Sequence, residues 1–207
     1  MRCYIFSASE IKNYDFIKEY DLKTGFVICA DGGYKHLEML GVVPDVWIGD
    51  GDSFEKTEFF AKEKIVFPTR KDKTDTELAV EIALNRGYRE IIIFGALGGR
   101  IDHEYANFCV LKKICDAGAN GVLVDEKNEI FIKKHDFEIY PNDKEYISFF
   151  PFGGDVEGFS VTGLRYSASN MKLECSKAQA SSNCFDKEEK ATVSFKAGYL
   201  LVVRSDD

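Results

Sequence analysis

The stretch Lys64-Ile65-Val66-Phe67-Pro68, then Thr74-Asp75-Thr76-Glu77-Leu78-Ala79-Val80-Glu81-Ile82-Ala83, then Gly87 and Glu90-Ile91-Ile92-Ile93-Phe94, decides the fold. It reads strand, helix, strand. Thr74 and Glu77 form the capping box T-x-x-E, in which the threonine hydroxyl accepts from the free backbone N–H three residues on. Leu78, Ala79, Ile82 and Ala83 make one apolar stripe, and Gly87 supplies the stop. The flanking strands are short and nearly all apolar, which predicts a parallel sheet buried on both faces.

Working outward, the same alternation recurs on the N-terminal side. Cys3–Ser7, Phe26–Ala30 and Val46–Ile48 read as strands, and Tyr34–Leu40 as a helix ended by Gly41. The run Cys3–Phe6 is too short for a signal-peptide core and reads as the first strand. On the C-terminal side, Asp102 is placed as the N-cap of a further helix. Ala106, Cys109, Val110 and Ile114 would form its apolar face, and Gly118 would end it.

After about residue 120 helical periodicity disappears. Val122–Val124, Glu129–Lys133, Phe137–Tyr140, Tyr146–Phe150, Met171–Glu174, Thr192–Phe195 and Tyr199–Val203 are short strand candidates separated by turn residues. That is the signature of an antiparallel sandwich or barrel. The organisation expected is an α/β domain with a mostly parallel sheet over 1–120 and an all-β sandwich over 121–207.

The 207 residues carry a formal net charge of -8, which argues against nucleic-acid binding, since that needs a basic face. No apolar stretch approaches membrane-spanning length. Six cysteines occur without a C-x-x-C pair, so reduced, mostly buried thiols and a cytoplasmic location are expected.

Acidic residues gather where the strands should end, and in open α/β sheets ligands bind beyond the carboxyl ends of the strands. Asp50-Gly51-Asp52-Ser53 puts two carboxylates at i and i+2, on one side of an extended chain. Such a pair repels itself unless a cation lies between, and Mg²⁺ suits oxygen donors. The competing reading is a turn with Ser53 as an N-cap. Asp75 is placed to complete the same metal site. Asp31-Gly32-Gly33 offers amide N–H groups to an anion, although alone it reads as a plain strand-to-helix turn. Arg70, Lys71 and Lys73 beside Asp72 and Asp75 are usually explained as a solvated loop of mixed charge, but the run opens a capped helix whose N–H groups would also attract phosphate. Gly95-Ala96-Leu97-Gly98-Gly99-Arg100 matches neither the dinucleotide fingerprint nor the P-loop, and Arg100 is suited to clamping phosphate oxygens. A lone histidine such as His103 is more often a capping or packing residue than a base, and His36 and His135 have no ligand-like neighbours in sequence. The hydroxyl-rich segments Ser160–Tyr166, Ser167–Asn170 and Ser181–Asn183 read as turns in a β domain. Converging carboxylates and cations point toward phosphoryl or pyrophosphoryl transfer from a nucleotide.

Together these segments resemble the bacterial thiamine pyrophosphokinases. The residues that carry the likeness are Ala30–Gly33, Pro44-Asp45 leading into Gly49–Ser53, Asp72–Asp75 with Glu77, and Gly95-Ala96 with Gly98–Arg100, Asp102, His103 and Asn107. In the second half they are Gly163–Tyr166, Ser182-Asn183, Ala191–Phe195 and Gly198–Leu201. Gly51 stands where that family usually has an aromatic, and Ser181 where it has glycine. The resemblance implies transfer of pyrophosphate from ATP, as co-substrate with Mg²⁺, to the hydroxyl of thiamine, giving thiamine diphosphate and AMP. It implies a homodimer with active sites at the subunit interface. It places Asp50, Asp52 and Asp75 at the metal, and Asp31, Gly32, Gly33, Ser53, Arg70, Lys73, Thr74, Gly98 and Arg100 around ATP. Asp102 and, from the second half of the partner subunit, Ser182 and Asn183 fall near thiamine, and Asp50, Asp52, Asp75, Asp102 and Arg100 carry catalysis. Two other readings stay open from residue chemistry alone. One is a related pyrophosphokinase acting on a hydroxymethyl pterin. The other is a nucleotide-binding regulator without turnover.

Overall fold

A computed structural model describes residues 1–50, 60–68, 72–187 and 189–207. The chain divides into two compact units, Met1–Glu126 and Lys127–Asp207. The boundary expected near residue 120 falls at the start of a strand, Asn120–Val124, that belongs to the first unit.

In the first unit the strands are β1 (Arg2–Phe6), β2 (Phe26–Ala30), β3 (Val46–Asp50), β4 (Glu63–Phe67), β5 (Glu90–Phe94) and β6 (Asn120–Val124). The helices are α1 (Tyr34–Leu40), α2 (Asp75–Asn85) and α3 (Ile101–Asp116), with 3-10 turns at Asp15–Glu19 and Asp31–Gly33. The strand pairs are parallel, in the order β4-β3-β2-β1-β5-β6. The chain winds outward from β1 to β4, then returns through α2 to pair β5 on the other side of β1. The order therefore reverses between β1 and β5, which is where such sheets bind ligands.

Burial explains why these segments are strands. Residues Cys3–Phe6 are all fully buried, a continuous run rather than an alternation. Tyr4 and Phe6 join Leu37, Ile17, Trp47 and Phe94 in one cluster, with Phe6 and Phe94 rings 5.0 Å apart. The alternate residues Cys3, Ile5, Ile28, Ile48 and Ile93 point to the other face and are equally buried. Burying side chains of this size contributes roughly 1.5–3 kcal/mol each. Strand β4 differs. It is an edge strand with Val66 52% exposed, so the two-sided burial predicted for every strand stops at β3.

Thr74 caps α2, its side chain accepting from the Glu77 N–H at 3.2 Å. Helix α3 departs from expectation. Its N-cap is Arg100, so Asp102 is a first-turn residue, where a carboxylate favours the helix dipole without capping it. Its buried positions are Asn107, Val110, Leu111, Ile114 and Cys115, while Cys109 is exposed. The inward face lies about one residue from the predicted stripe.

The second unit is all β. Strands β7 (Asn128–Lys133), β13 (Leu200–Ser205) and β9 (Tyr146–Pro151) pair antiparallel, with β13 central. Strands β11 (Ala168–Leu173), β10 (Val156–Thr162), β12 (Ala191–Ser194) and β8 (Phe137–Ile139) form a second sheet in that order. Phe149 of β9 and Phe159 of β10, both fully buried, meet with rings 5.4 Å apart and so pack the two sheets together. Strand β10 escapes sequence reading because Gly158 (φ 69°) and two register shifts break its alternation. Ser160–Thr162 and Ala168–Asn170 are therefore strand residues rather than turns.

The cysteines are free thiols; Cys3, Cys29 and Cys115 are buried, but Cys109 and Cys175 are exposed and Cys184 is half-buried. Burial pushes the Cys3 thiol up to about 12, with the Asp45 carboxylate adding to the effect, so it packs as a small apolar group. Among the described residues no helix is long and apolar enough to cross a membrane.

Candidate functional site

At the switch between β1 and β5 lies a cleft of about 230 Å³. Ser7, Ala8 and Ser9 leave the end of β1 and form one wall. Gly95 leaves the end of β5. Ala30 and Asp31 close the end of β2, and Thr74, Asp75 and Thr76 bring the N-terminus of α2 to the same opening. His103 and Asn107 of α3 complete it.

Several local constraints make this opening. Asp31 sits in the left-handed region (φ 45°), which aspartate tolerates better than most residues and which turns the chain sharply after β2. Gly33 is required by contact, since a Cβ there would lie 2.1 Å from the Phe6 carbonyl oxygen. Ser7 Oγ and Thr76 Oγ1 share a buried hydrogen bond of 2.8 Å that ties β1 to the first turn of α2. The positive end of the α2 dipole therefore faces this opening, a setting that favours an anion.

The floor is braced from below. Backbone N–H groups of Ser7 and Ser9 donate to the carbonyls of Phe94 and Gly95 at 2.9 and 2.8 Å. His36 Nε2 donates to the Ser9 carbonyl at 2.9 Å, so Nδ1 accepts from the Tyr14 hydroxyl at 2.8 Å. Burial pushes the His36 imidazole below its usual range, consistent with this neutral tautomer. Asn107, also buried, donates its amide to the Ala96 carbonyl at 2.8 Å and holds the loop after β5.

Of the residues singled out by sequence, Asp31, Thr74 and Asp75 come together in this cleft, with His103 beside them. Asp102 lines an adjoining groove of about 310 Å³ with Thr74, Glu77, Tyr105 and Lys113. Arg100 is the partner of Asp102, donating from Nη2 at 2.5 Å and from Nε at 3.1 Å. This guanidinium holds the Asp102 carboxyl below the usual carboxylate range. Gly98, in the left-handed region (φ 76°), turns the loop that leads to Arg100. Asp50 ends β3, and α2, which starts at Asp75, packs against that strand. Lys73 is engaged by Glu81 at 2.8 Å to both oxygens. Gly32 belongs to the 3-10 turn with Asp31 and Gly33. Gly51, Asp52, Ser53, Arg70 and Lys71 lie outside the described residues. Among those described, no group of three His, Cys, Asp or Glu side chains is gathered to hold a metal.

Ser182 and Asn183 belong to the second unit. Ser182 is exposed, with φ 55°, and its N–H donates to Ser148 Oγ at 2.9 Å. Asn183 is buried. Its amide donates to the Tyr166 carbonyl at 2.7 Å, and its side-chain oxygen accepts from the N–H groups of Tyr166 and Cys184, both at 3.0 Å. Asn183 therefore pins the 164–166 turn beside β9.

The linear sequence does not single out Ser7, Ser9, Thr76 or His36. The available signal is Ser7-Ala8-Ser9 directly after the first strand, but it gains meaning only once β1 is known to be central.

The fold and the cleft place the chain among open α/β proteins whose ligand site lies at the carboxyl ends of central strands. Comparison with known proteins narrows this. Residues 17–123 match the family described as "Thiamin pyrophosphokinase, catalytic domain", and residues 134–200 match "Thiamin pyrophosphokinase, vitamin B1 binding domain". The thiamine pyrophosphokinase of Bacillus subtilis (strain 168) is 34% identical over 191 residues, covering 87% of each chain. The crystal structure of the Bacillus subtilis protein superposes with a TM-score of 0.87 over 100% of both chains, at 26% identity in that superposition. That from Geobacillus thermodenitrificans gives 0.86 at 26% identity, over 100% of this chain and 98% of the other. The chain belongs to the thiamine pyrophosphokinase family.

Proposed function

We propose that the protein transfers the pyrophosphoryl group of ATP to the hydroxyl of thiamine, giving thiamine diphosphate and AMP. The observation that carries this reading is the cleft at the β1/β5 switch, where Asp31, Thr74, Asp75 and the N-terminus of α2 converge in a chain of this family.

The donor's phosphates would lie over the first turn of α2, with Ser7, Ser9 and Thr76 as hydroxyl partners. Asp50, Asp52 and Asp75 would hold Mg²⁺. Asp50 and Asp75 stand on packed neighbouring elements, and their hard oxygen donors fit that ion. When bound, the ion supplies charge neutralisation at the phosphates. Lys73 and Arg100 add positive charge where negative charge spreads in the transition state. The thiamine oxygen forms its bond to the β-phosphorus as the bond from that phosphorus to the AMP oxygen breaks. The hydroxyl proton passes to Asp75 or Asp102. A loose transition state asks little of this base, and positioning supplies most of the effect.

Asp102 of one subunit would border thiamine together with Ser182 and Asn183 of the partner subunit. Ile101 and Tyr105, 77% and 62% exposed on α3 beside the site, offer apolar surface of the kind a partner subunit covers. This supports a homodimer with thiamine bound at the interface. Free thiols suit a reducing cytoplasm.

The acceptor is tested by following AMP release with thiamine and with a hydroxymethyl pterin as competing alcohols. AMP is expected in step with thiamine diphosphate, and none with the pterin. A preference for the pterin would reassign the acceptor, and ATP binding without AMP release from either would make the chain a regulator.

A further inference from the structure

Lys73 stands one residue before the cleft-lining Thr74 but does not itself line the cleft. Its ammonium is chelated by Glu81 of α2, 2.8 Å from each carboxylate oxygen. Glu81 also receives the ammonium of Lys113, from α3, and Lys113 donates a second bond to Glu77 at 2.8 Å. The result is an alternating chain, Lys73–Glu81–Lys113–Glu77, laid across α2 and α3. Glu77 and Glu81 are four residues apart on one face of α2, where like charges repel, and Lys113 bridges them. The side chains of Glu81, Glu77 and Lys113 are 25%, 27% and 37% exposed, so water screens the Lys113 contacts less than it would on open surface, whereas Lys73, at 46%, meets solvent more.

We propose that Glu81 and Lys113 are positioning residues that set how much of the Lys73 ammonium is available to the donor's phosphates. The inference rests on the reading of Lys73 as a phosphate-facing cation. A triphosphate arriving at the cleft competes with Glu81 for that ammonium. Lys113 draws on the same carboxylate, and so weakens its hold on Lys73. The hydrogen bonds from Lys113 and Lys73 keep the Glu81 carboxyl below its ordinary range, so it stays ionised and competing throughout the neutral region.

Two substitutions therefore act with opposite signs. Glu81→Gln releases Lys73 and lowers KM for ATP roughly threefold, with kcat within about twofold. Lys113→Met concentrates the Glu81 charge on Lys73 and raises KM for ATP by a similar factor. A general change in local charge would shift KM too, so the deciding arm is the Lys73→Ala background. There Glu81→Gln is expected to have no effect on KM. If Glu81→Gln leaves KM unchanged in the otherwise native chain, while Lys73→Ala raises it, the positioning role is overturned and the reading of Lys73 survives. The positioning role is likewise overturned if the Glu81→Gln effect persists without Lys73. If Lys73→Ala alters neither KM nor kcat, both fall together.

Discussion

Arg100 and Asp102 show how an exposed ion pair can matter chemically without mattering much to stability. Both side chains are largely in solvent, 72% and 63% exposed, and water screens pairs of this kind until little stabilisation is left. Their consequence lies in protonation. Arg100 lowers the Asp102 pKa, so the carboxylate persists to lower pH than an ordinary aspartate. If the ionised Asp102 serves the reaction, activity falls as pH drops through that lowered value. In Arg100→Ala the carboxyl returns toward the ordinary aspartate range, and the acid limb of kcat/KM against pH moves upward. Under the proposed function the same variant would also lose a cation from the phosphates and should be slower by roughly 10²–10³. A pH–rate profile of wild type and variant checks both. An unmoved acid limb with a loss below about threefold would remove Arg100 from the site. At this scale the glycine-rich turn before Arg100 and Asp102 was legible as a turn, because Gly95 and Gly98 supply the positive φ angles that bend the chain after β5. Ser7 and Thr76 were not, since their hydrogen bond joins positions 69 residues apart.

Helix α2 does the placing at the next scale. Its cap fixes how the first turn is presented, and the same turn carries Asp75 and Thr76 into the cleft. Thr74→Ala removes the acceptor for the Glu77 N–H and should cost about 0.5–2 kcal/mol in chemical denaturation. KM for ATP should rise alongside. Unchanged stability and KM would show that the turn is held by other contacts. The capping box announced this helix in the sequence, and α1 was equally plain between its first aromatic and Gly41. Helix α3 was legible as a helix but not in its phase. Asp102 imitates an N-cap, whereas Arg100 takes that position, and the buried Asn107 breaks the expected apolar stripe. Strand β10 was hidden by Gly158 and its bulges, which interrupt the period-two pattern that marks a strand.

For the molecule as a whole, local patterns predicted two kinds of architecture in succession, and the structure has them. What they left out is order. Nothing in the run of strands says that β1 lies between β2 and β5, because that depends on how the crossover through α2 returns the chain over the sheet. The order makes Ser7–Ser9, Asp31 and Asp75 neighbours. The proposed function depends above all on the donor's phosphates occupying this cleft, gripped by a divalent ion on Asp50, Asp52 and Asp75. A crystal structure of the full chain with Mg²⁺, thiamine and a non-hydrolysable ATP analogue tests it most directly. The triphosphate is expected over the first turn of α2, beside the Ser7–Thr76 pair, with the ion on those three carboxylates. A triphosphate bound elsewhere, with those aspartates away from any ion, would contradict it.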